Sequence, residues 1–503
     1  MWTISGLSGV GIMVEAQNNR LAVGVHTYDQ SNGQPVYFSS FGPLGAFGYY
    51  QGTLDYAYGG SCLTCADQQP QVDVGAGGEI TIQFLSPVEA TVSFTAPSAL
   101  HMNATKGDEP LTMERMLFGY APGLEDRFRG TWLLLEDFSY GGLIDGFIRA
   151  TPFEYKWGEH LGGCQMGNLR TGACSVTPAS SSSLLYDEDT GDFVVHTFRP
   201  SGGFGITIDQ FRFADAGASK TTLGPGQTVG VGGTKGTEIT RPSAMVQLFP
   251  PGHFEASGQV VTEAGAWAVD GLGGVGMELD MQAGVVGLGT FSYDASSGAP
   301  VFHMGAVPYA QLSGLPLDMS MGGSCLACGP GSVIVAPGAG GTASVQLAAM
   351  DQGTVAFSAP VADSVLNGNP RVLERLYFHS TLQRLMGKWA LVADAAATTE
   401  FVDGLVINFT EIVDGVLMGC PAANLINSEC DATYPTTVLA QVDPGRGVVV
   451  MWEGDFSQRE YVFGSIGVER SSIGTMIDFE DPKYIRLSRA VRVLSKSAMT
   501  SLD

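Results

Sequence analysis

Two stretches of the chain, WTISGLSGVGIMVE at residues 2–15 and WAVDGLGGVGMELD at residues 267–280, carry a tryptophan, a Gly-Leu pair and a Gly-Val-Gly run at the same spacing. The offset of 265 residues is far longer than the period of a solenoid or a propeller, whose repeats span about 20–50 residues. The pair therefore predicts that a whole domain was duplicated in tandem.

Further matches follow in the same order in both halves. TYDQSNGQPVYF at 27–38 matches SYDASSGAPVFH at 292–303, and the offset falls only to 256 residues at the last cysteines. Insertions and deletions are therefore short. We expect one repeat at 2–213 and the other at 267–472, with a Gly/Thr/Pro-rich linker at 226–265 between them.

The hydrophobic pattern within each repeat predicts strands. GEITIQFLS places Ile80, Ile82 and Phe84 on one face at a period of two residues. Turns such as YDQSNGQP supply the glycine and asparagine that hairpins use. Two stretches, EPLTMERMLFGY at 109–120 and NPRVLERLYFHS at 369–380, instead space their apolar residues as a helix does and carry proline near the first turn.

The predicted fold class is therefore all-β, a tandem duplication of a unit made of two β-barrel-like or sandwich-like subdomains joined by a short helix. The last stretch, YIRLSRAVRVLSK, alternates like a strand, and a basic amphipathic tail is the alternative. Matching positions of Trp2, Trp132, Trp267 and Trp389 indicate core anchors. The predicted boundaries are a β subdomain at 1–105, a helix plus second β subdomain at 106–225, the linker at 226–265, a β subdomain at 266–365, and a helix, second β subdomain and C-terminal strand at 366–503.

The motif GGSCLTC at 59–65 returns as GGSCLAC at 322–328. A haem attachment site would need histidine after the second cysteine, where Ala66 and Gly329 stand. A thioredoxin-type redox centre would need a helix that the next residues do not predict. Four cysteines per repeat could also hold structural zinc, although one pair is separated by nine residues, which is unusual for such sites.

Disulfides are the favoured interpretation, because they use every cysteine and suit an oxidising compartment. We expect short-range pairing, although four cysteines allow three connectivities per repeat. The predicted structural disulfides are Cys62–Cys65, Cys164–Cys174, Cys325–Cys328 and Cys420–Cys430.

No catalytic, cofactor-binding or metal-ligating residue is predicted. GLGGVG at 271–276 fits a dinucleotide motif by its letters, but β-like sequence follows it where a helix is required. DEDTGD at 187–192 resembles a calcium loop, yet glycine occupies the third ligand position, so a hairpin turn is favoured. The seven histidines are scattered and are interpreted as surface or packed residues. Asp145 and Asp403 are interpreted as turn residues, and Asn103 and Asn408 begin glycosylation sequons.

Composition excludes some function classes. Fifty acidic against 25 basic residues give a net charge of −25, which repels nucleic-acid phosphates. No apolar run reaches the roughly 18–20 residues that span a bilayer, and the first residues lack the basic region of a signal peptide. Only 15% of residues are charged, against about 25% in typical globular domains, which suits a chain of short strands and tight turns.

The run W…G.GVGIMVE…LAVGVHTYDQSNGQPVYF…GTLDYAYGGSC resembles a repeat of uncharacterised secreted or surface bacterial β-proteins. In that repeat, a Trp/Gly opening leads into a TYD..G.P.W hairpin. The chain departs from it with Val36-Tyr37 and Val301-Phe302 where the family commonly carries tryptophan. The resemblance implies a β fold and an extracytoplasmic location (secreted, cell surface or periplasm), and it implies no catalytic residues.

These observations lead to one hypothesis and two alternatives. The leading hypothesis is a non-catalytic structural or surface protein, a matrix component or a filament subunit, whose C-terminal strand could complete a neighbour's sheet and whose partners are copies of itself or other surface components. The second is a carbohydrate- or small-ligand-binding protein with one site per repeat. The third is a carboxylate-dependent hydrolase. No cofactor, nucleic-acid partner or membrane span is expected.

Overall fold

The computed structural model shows a chain that is almost entirely β-structure, with 36 strands in its described part. The residues it does not describe are 46–47, 87, 96–109, 119–127, 137–148, 158–159, 165–168, 170–180, 188, 191, 202–204, 215–223, 232–239, 250–262, 283, 327–330, 359–367, 395–402, 423–429, 431–436, 454–457, 473, 480–484 and 496–503.

The chain folds into two compact units, and each contains one segment from each repeat. The first, here called the sheet unit, combines Met1–Gly119 with Thr262–Phe378. The second, the barrel unit, combines Tyr120–Val261 with His379–Asp503. Equivalent halves of the two repeats thus fold together.

The sheet unit contains two ten-stranded antiparallel sheets with the same strand order. In the first repeat the order is β5-β8-β9-β10-β1-β2-β3-β4-β6-β7, and in the second it is β23-β26-β27-β28-β19-β20-β21-β22-β24-β25. The strands of the first sheet are β1 (Trp2–Ile4), β2 (Gly11–Gln17), β3 (Arg20–Tyr28), β4 (Pro35–Pro43), β5 (Tyr49–Thr53), β6 (Asp55–Tyr58), β7 (Gln71–Asp73), β8 (Glu79–Phe84), β9 (Glu89–Thr95) and β10 (Leu111–Arg115). Those of the second are β19 (Gly265–Val269), β20 (Gly276–Gln282), β21 (Val285–Tyr293), β22 (Pro300–Pro308), β23 (Ser313–Pro316), β24 (Asp318–Met321), β25 (Ile334–Ala336), β26 (Thr342–Leu347), β27 (Gln352–Ser358) and β28 (Arg371–Arg375).

The barrel unit contains two closed eight-stranded barrels, one from each repeat. The first is closed by pairing of β11 with β18, and the second by pairing of β29 with β36. The first barrel comprises β11 (Gly130–Glu136), β12 (Arg149–Trp157), β13 (His160–Cys164), β14 (Ser181–Asp187), β15 (Asp192–Ser201), β16 (Gly205–Phe213), β17 (Gly224–Val231) and β18 (Thr240–Phe249). The second comprises β29 (Gly387–Ala393), β30 (Asp403–Val413), β31 (Val416–Pro421), β32 (Thr437–Asp443), β33 (Gly447–Glu453), β34 (Gln458–Phe463), β35 (Gly474–Asp478) and β36 (Ile485–Ser495).

The four matching tryptophans anchor cores, as predicted. Trp2 and Trp267 lie in the separate cores of the two sheets, and Trp132 and Trp389 in the barrel interiors. Strand β29 is buried on both faces, because Trp389 points into its barrel while Val392 packs against the other barrel. Eighteen strands per repeat in equivalent order bear out the duplication.

The two predicted helices are wrong. Their sequences form β10 and β28, which pair with strands on both sides. In so short a stretch the two patterns overlap, because Leu111 and Met113 are also two residues apart as in a strand, and Met113 and Leu373 fill the sheet cores. The α-helix found in the described part is α1 (Thr381–Leu385), which starts at an N-cap hydrogen bond from the Gln383 amide to the Ser380 hydroxyl.

The predicted linker at 226–265 is also wrong. It contains most of β17 and all of β18, which close the first barrel. Its glycines and threonines resemble a flexible segment, yet Val246 and Leu248 alternate into the core between the barrels. The repeat therefore extends to residue 249. The C-terminal strand prediction is confirmed by β36, but both edges of β36 are paired within its own barrel, so it is no free edge for a neighbour.

Candidate ligand-binding site

Two of the predicted disulfides are formed. Cys62 bonds to Cys65, and Cys420 bonds to Cys430. Because these sulfurs are joined to each other, the zinc interpretation is wrong for both pairs. The first pair lies in a turn and not at the start of a helix, which is unlike a thioredoxin-type centre.

The other four predicted cysteines are only partly described. Cys325 is disulfide-bonded, and its predicted partner Cys328 lies outside the described residues. Cys174 and the side chain of Cys164 lie outside them as well. The pairing of Cys164 with Cys174 stays a prediction, at the position equivalent to the disulfide of the second barrel.

Each Cys-x-x-Cys loop inserts its leucine into the core of the other repeat. Leu63 belongs to the hydrophobic core of the second sheet, and Leu326 belongs to that of the first. Both leucines are buried. The short disulfide therefore holds a tight loop whose leucine joins the two sheets, and the motif occurs twice because the exchange is reciprocal.

Backbone hydrogen bonds repeat this reciprocity at the hairpin turns. The Gly59 amide donates to the Gly298 carbonyl at 2.8 Å, and the Gly322 amide donates to the Gly33 carbonyl at 3.0 Å. Gly33 and Gly298 have φ angles of 69° and 68°, a conformation that favours glycine. The two halves of the sheet unit are thus related by an approximate twofold axis.

Two buried ion pairs obey the same symmetry. Glu15 Oε1 lies 2.7 Å from Arg375 Nη2, and Asp280 Oδ1 lies 3.3 Å from Arg115 Nη2. Burial lowers the pKa of Arg375, but nearby carboxylates, first that of Glu15, outweigh this effect and raise it. Burial likewise favours neutral Asp280, but Arg115 and the Met1 amino group hold its pKa below the ordinary value. These pairs link the repeats.

Glu278 has no symmetry-related acid, because Met13 stands at the equivalent position. It is buried, and this burial raises its pKa to about 8. The Met1 amino group lowers the pKa in part, whereas the carboxylate of Glu15 raises it further. A buried carboxyl of this kind binds a proton at neutral pH.

Aromatic rings from both repeats meet near the approximate axis. His26 stacks on Phe291 with ring centroids 4.5 Å apart and planes 6° apart. Tyr37 and Phe302, which are also equivalent by sequence, pack against this pair. His26 and Phe291 occupy matching positions, so the duplication has placed an imidazole on one side and a phenyl ring on the other.

A cavity of about 310 Å³ opens on the histidine side. Side chains from both repeats line it, and they include Trp2, Leu7, Val10, Met13 and Phe302. Most of the lining atoms are carbon or sulfur. Ligand cavities typically measure about 300–1,000 Å³ and combine an apolar wall with a few polar groups, and this cavity meets that description.

Two histidines are among the lining residues, although their unpaired nitrogens are covered and do not face the cavity. His26 and His303 both line the cavity, and burial lowers the pKa of His26 to about 3 and that of His303 to about 4. Within the described residues, neither nitrogen of His26 has a hydrogen-bond partner, nor does Nδ1 of His303. His303 Nε2 lies 3.5 Å from the Ser292 hydroxyl. Both rings are neutral above pH 5.

The repeats differ at both histidines. Phe291 stands at the position equivalent to His26, and Phe38 at the position equivalent to His303. The interpretation of His26 as an ordinary packed residue therefore missed its place in the cavity wall. The available signal was that two scattered histidines each replace a phenylalanine of the other repeat.

The exposed Ser8–Gly9 turn also lines the cavity. The Ser324 amide donates to the Ser8 carbonyl at 2.8 Å, so the Cys325 loop holds this turn.

No family model and no curated protein matches this chain. The resemblance to secreted bacterial repeats therefore stays a prediction, and the cavity carries the functional argument.

The calcium-like loop is a charged hairpin turn. Arg212 Nη1 lies 3.2 Å from Asp187 Oδ2 and 3.5 Å from Asp192 Oδ2, so an arginine already balances these acids. Throughout the described ranges, no three His, Cys, Asp or Glu side chains come together as a metal site. In the same ranges, no helix has both the length and the apolar character needed to cross a membrane.

The remaining sequence candidates do not form a site. Gly271 and Gly274 of GLGGVG have positive φ angles in the turn between β19 and β20, so this motif is a strand connection. Asn408 is fully buried in β30, which is incompatible with glycosylation of the folded chain. Asp403 begins β30, while Asn103 and Asp145 lie outside the described residues.

Proposed function

We propose that this protein binds one small, mainly apolar molecule per chain in the cavity of the sheet unit. The observation that carries the proposal is a cavity of about 310 Å³ with a mainly apolar wall. The atoms around a void of this size lack contacts on one side, which destabilises a fold. A ligand that fills the void restores those contacts.

The proposal departs from one site per repeat, because several lining residues are replaced at the equivalent positions of the other repeat. Phe291 replaces His26, Glu278 replaces Met13, and Tyr37 replaces Phe302. The apolar wall also supports a small hydrophobic ligand more than a carbohydrate, whose many hydroxyls each need a polar partner. The proposed site is shared by both repeats.

An extracytoplasmic location is part of the proposal. The disulfides Cys62–Cys65 and Cys420–Cys430 support it, since such bonds persist mainly in oxidising compartments. We expect the same bonds in protein that is isolated without added oxidant. Intact mass measured before and after reduction tests this expectation.

Filling the cavity tests the binding function. Val10 is buried in its wall, and Val10→Phe adds a ring to that space. We expect wild-type protein to bind naphthalene with a Kd in the micromolar range and Val10→Phe to lose at least tenfold in affinity. Val275→Phe, at the equivalent buried position of the other repeat, is the matched control and should keep wild-type affinity.

Naphthalene fluorescence and a thermal shift on ligand addition measure the two affinities. Equal loss in both variants would indicate a general effect on folding. Absence of naphthalene binding to wild-type protein, together with no binding of other apolar probes of that size, would overturn the proposal.

A second candidate function, self-association into a filament or matrix, is favoured by two exposed sheet edges. Strands β7 and β25 are the last strands of their sheets. Val74 beside β7 and Ile334 in β25 are 80% and 65% exposed. Exposed apolar edge strands can add a strand from another molecule, and this chain carries one at the same place in each repeat.

Introducing charged side chains at these sheet edges tests the proposed self-association. The double variant Val74→Lys and Ile334→Lys should remain monomeric at concentrations at which wild-type protein assembles. Val442→Lys, at an exposed position of β32, is the control and should assemble normally. Light scattering after size exclusion measures the mass, and a wild-type monomer at high concentration would contradict this candidate.

A further inference from the structure

We infer that the cavity accepts uncharged hydrocarbons of several shapes, and that its methionines give it this breadth. The inference rests on the proposed binding function and deepens it by naming the ligand class and the residues that set the specificity. It follows from the chemistry of the wall, the methionines within it and the size of the cavity.

The wall of the cavity offers little to a charged or polar ligand. The described lining residues include no acidic residue, arginine or lysine, and the Met1 amino group is already paired with Asp280 at 3.3 Å. The hydroxyls of Thr3 and Thr290 donate to backbone carbonyls, at 3.4 Å and 3.2 Å, and the unpaired nitrogens of the two histidines are covered. A charged or polar ligand would therefore lose its hydration with little in return.

Four methionines line the cavity, and the other repeat has no methionine at any of the equivalent positions. The lining methionines are Met1, Met13, Met116 and Met304, and their equivalents are Ala266, Glu278, Leu376 and Ser39. The methionines are thus a property of this cavity and not of the repeat. Methionine is unbranched and polarisable, and it adapts to irregular apolar shapes better than other hydrophobic residues.

Glycines of strand β21 make room for two of these methionines. A side chain at Gly289 would collide with Met13 Cε, and a Cβ atom at Gly287 would lie 3.1 Å from Met1 Cε. The ends of both methionines therefore rest on the backbone of the second repeat, where β21 has no side chain at these two positions to hold them. They can rearrange around ligands of different outline.

The volume sets the size of the hydrocarbon. An engineered protein cavity of about 150 Å³ holds benzene. The present cavity of about 310 Å³ is roughly twice as large, so it has room for about eight to twelve carbon atoms. The inferred ligand class is therefore small hydrocarbons of about this size, whether flat, rounded or extended.

Three hydrocarbons with the same number of carbon atoms test the inference: ethylbenzene is flat, cyclooctane is rounded and n-octane is extended. Each is supplied to the full-length protein as vapour, so that the different costs of dissolving them in water do not enter the comparison. Headspace gas chromatography over solutions with and without protein measures the binding. We expect half-saturating vapour pressures that agree within about tenfold. The anion 4-ethylbenzoate should not displace ethylbenzene.

A stiffer wall assigns the breadth to the methionines. The double variant Met13→Ile and Met304→Ile keeps a similar volume, and isoleucine suits strands but has fewer side-chain conformations. We expect at least one of the three shapes to bind more than tenfold more weakly than another, while one still binds as in the wild-type protein. Met245→Ile with Met476→Ile, two buried methionines of the barrel unit, is the matched control and should keep the wild-type range.

The outcomes separate this inference from the function on which it rests. If no hydrocarbon binds the wild-type protein, naphthalene included, the proposed function fails. If naphthalene binds but the three shapes differ by more than tenfold, the function stands and the inference of breadth is overturned. Displacement of ethylbenzene by 4-ethylbenzoate, or an unchanged range in a double variant that retains its thermal unfolding transition, would also overturn the inference.

Discussion

Glu15 and Arg375 form an ion pair in the interior of the sheet unit, with side chains that are 8% and 1% exposed. Arg375 also donates hydrogen bonds to the carbonyls of Ala264 and Ala266. A buried pair of this kind contributes little over an apolar pair, yet removing one partner is strongly destabilising, because an unbalanced charge remains. Its reciprocal position between the repeats therefore specifies how they fit together.

Replacing the acid of this pair should destabilise the protein. Glu15→Leu leaves the Arg375 guanidinium buried without its nearest carboxylate, so we expect the free energy of unfolding to fall by about 3–5 kcal/mol. Urea denaturation measures the change. Glu374→Leu alters an exposed acid of β28 and should change stability by less than about 0.5 kcal/mol; equal effects of the two variants would contradict the role of the buried pair.

Stability should fall as pH rises above neutral, because Glu278 has a folded-state pKa of about 8 against an ordinary value of 4.5. The folded chain holds a proton that the unfolded chain has released, so the free energy of unfolding decreases with pH until about pH 8. His26 and His303 act in the opposite direction, since their folded pKa values lie below 6.5. Their contribution is complete by about pH 6.5.

In the window from pH 6.5 to 8 the histidines no longer contribute, and the slope comes from buried carboxyls whose pKa burial raises, Glu278 and Glu15. Urea denaturation across this window should show decreasing stability in wild-type protein, and Glu278→Gln should reduce the slope. Glu374→Gln is the exposed control and should retain the wild-type slope. A wild-type stability that increases with pH across the window would contradict protonation of Glu278.

The candidate site could be predicted only in part from single residues. The number and spacing of the eight cysteines are visible in the sequence and predict disulfides without the fold. His26 and His303 lie far apart in sequence, and both line one cavity only because β3 and β22 come from different repeats of one unit. The pattern along the chain carries no information on that shared cavity.

At the scale of elements, the Cys-x-x-Cys loop joins two sheets that have separate cores. Its leucine fills the opposite core, and the Ser61 amide donates to the Gly273 carbonyl at 2.9 Å. A four-residue disulfide loop contributes about 2 kcal/mol in the chain-entropy model. The loop also holds Leu63 in the core of the second sheet.

Removing that leucine should weaken the contact between the repeats. Leu63→Ala empties part of the second sheet's core, and we expect the free energy of unfolding to fall by about 2–5 kcal/mol. The control, Leu85→Ala, changes a residue that is 58% exposed and should be nearly neutral. Thermal and urea denaturation measure both, and similar values would show that the loop contributes little.

Strands were predicted well where apolar residues alternate and glycine turns bound them, as in β8 and β9. The same rules failed for β10, a stretch too short to separate the period of a helix from that of a strand. It forms a strand because it pairs with β1 on one side and β9 on the other. They also failed for β17 and β18, where many small residues outweighed the short alternation of Val246 and Leu248. Closure of the barrel, a long-range constraint, supplied the missing hydrogen-bond partners.

At the scale of the whole molecule, neither repeat folds around its own contacts alone. The sheet unit and the barrel unit each draw one segment from each repeat. Within the barrel unit, Leu133 and Val246 of the first repeat share one core with Val392 and Val491 of the second. Half of the chain would therefore expose a large apolar surface.

A chain truncated to residues 1–261 should dimerise or aggregate. It retains both Glu15 and Arg115, so two copies could rebuild the reciprocal ion pairs of the sheet unit with one another. Light scattering after size exclusion should give twice the mass of the truncated chain. A stable, folded monomer at high concentration would contradict the view that each repeat completes the other.

Covalent linkage of the repeats has a consequence for how the cavity could arise. In a dimer of identical chains, every change at the shared centre is made twice, so a histidine that opens one side also replaces the phenylalanine that packs the other. Joining the copies in one gene freed each side to change alone. Position 26 could then become histidine while Phe291 stayed in place and stacked on it. A cavity on one side of the approximate axis is therefore possible in the linked chain, whereas a symmetric dimer would carry every change on both sides.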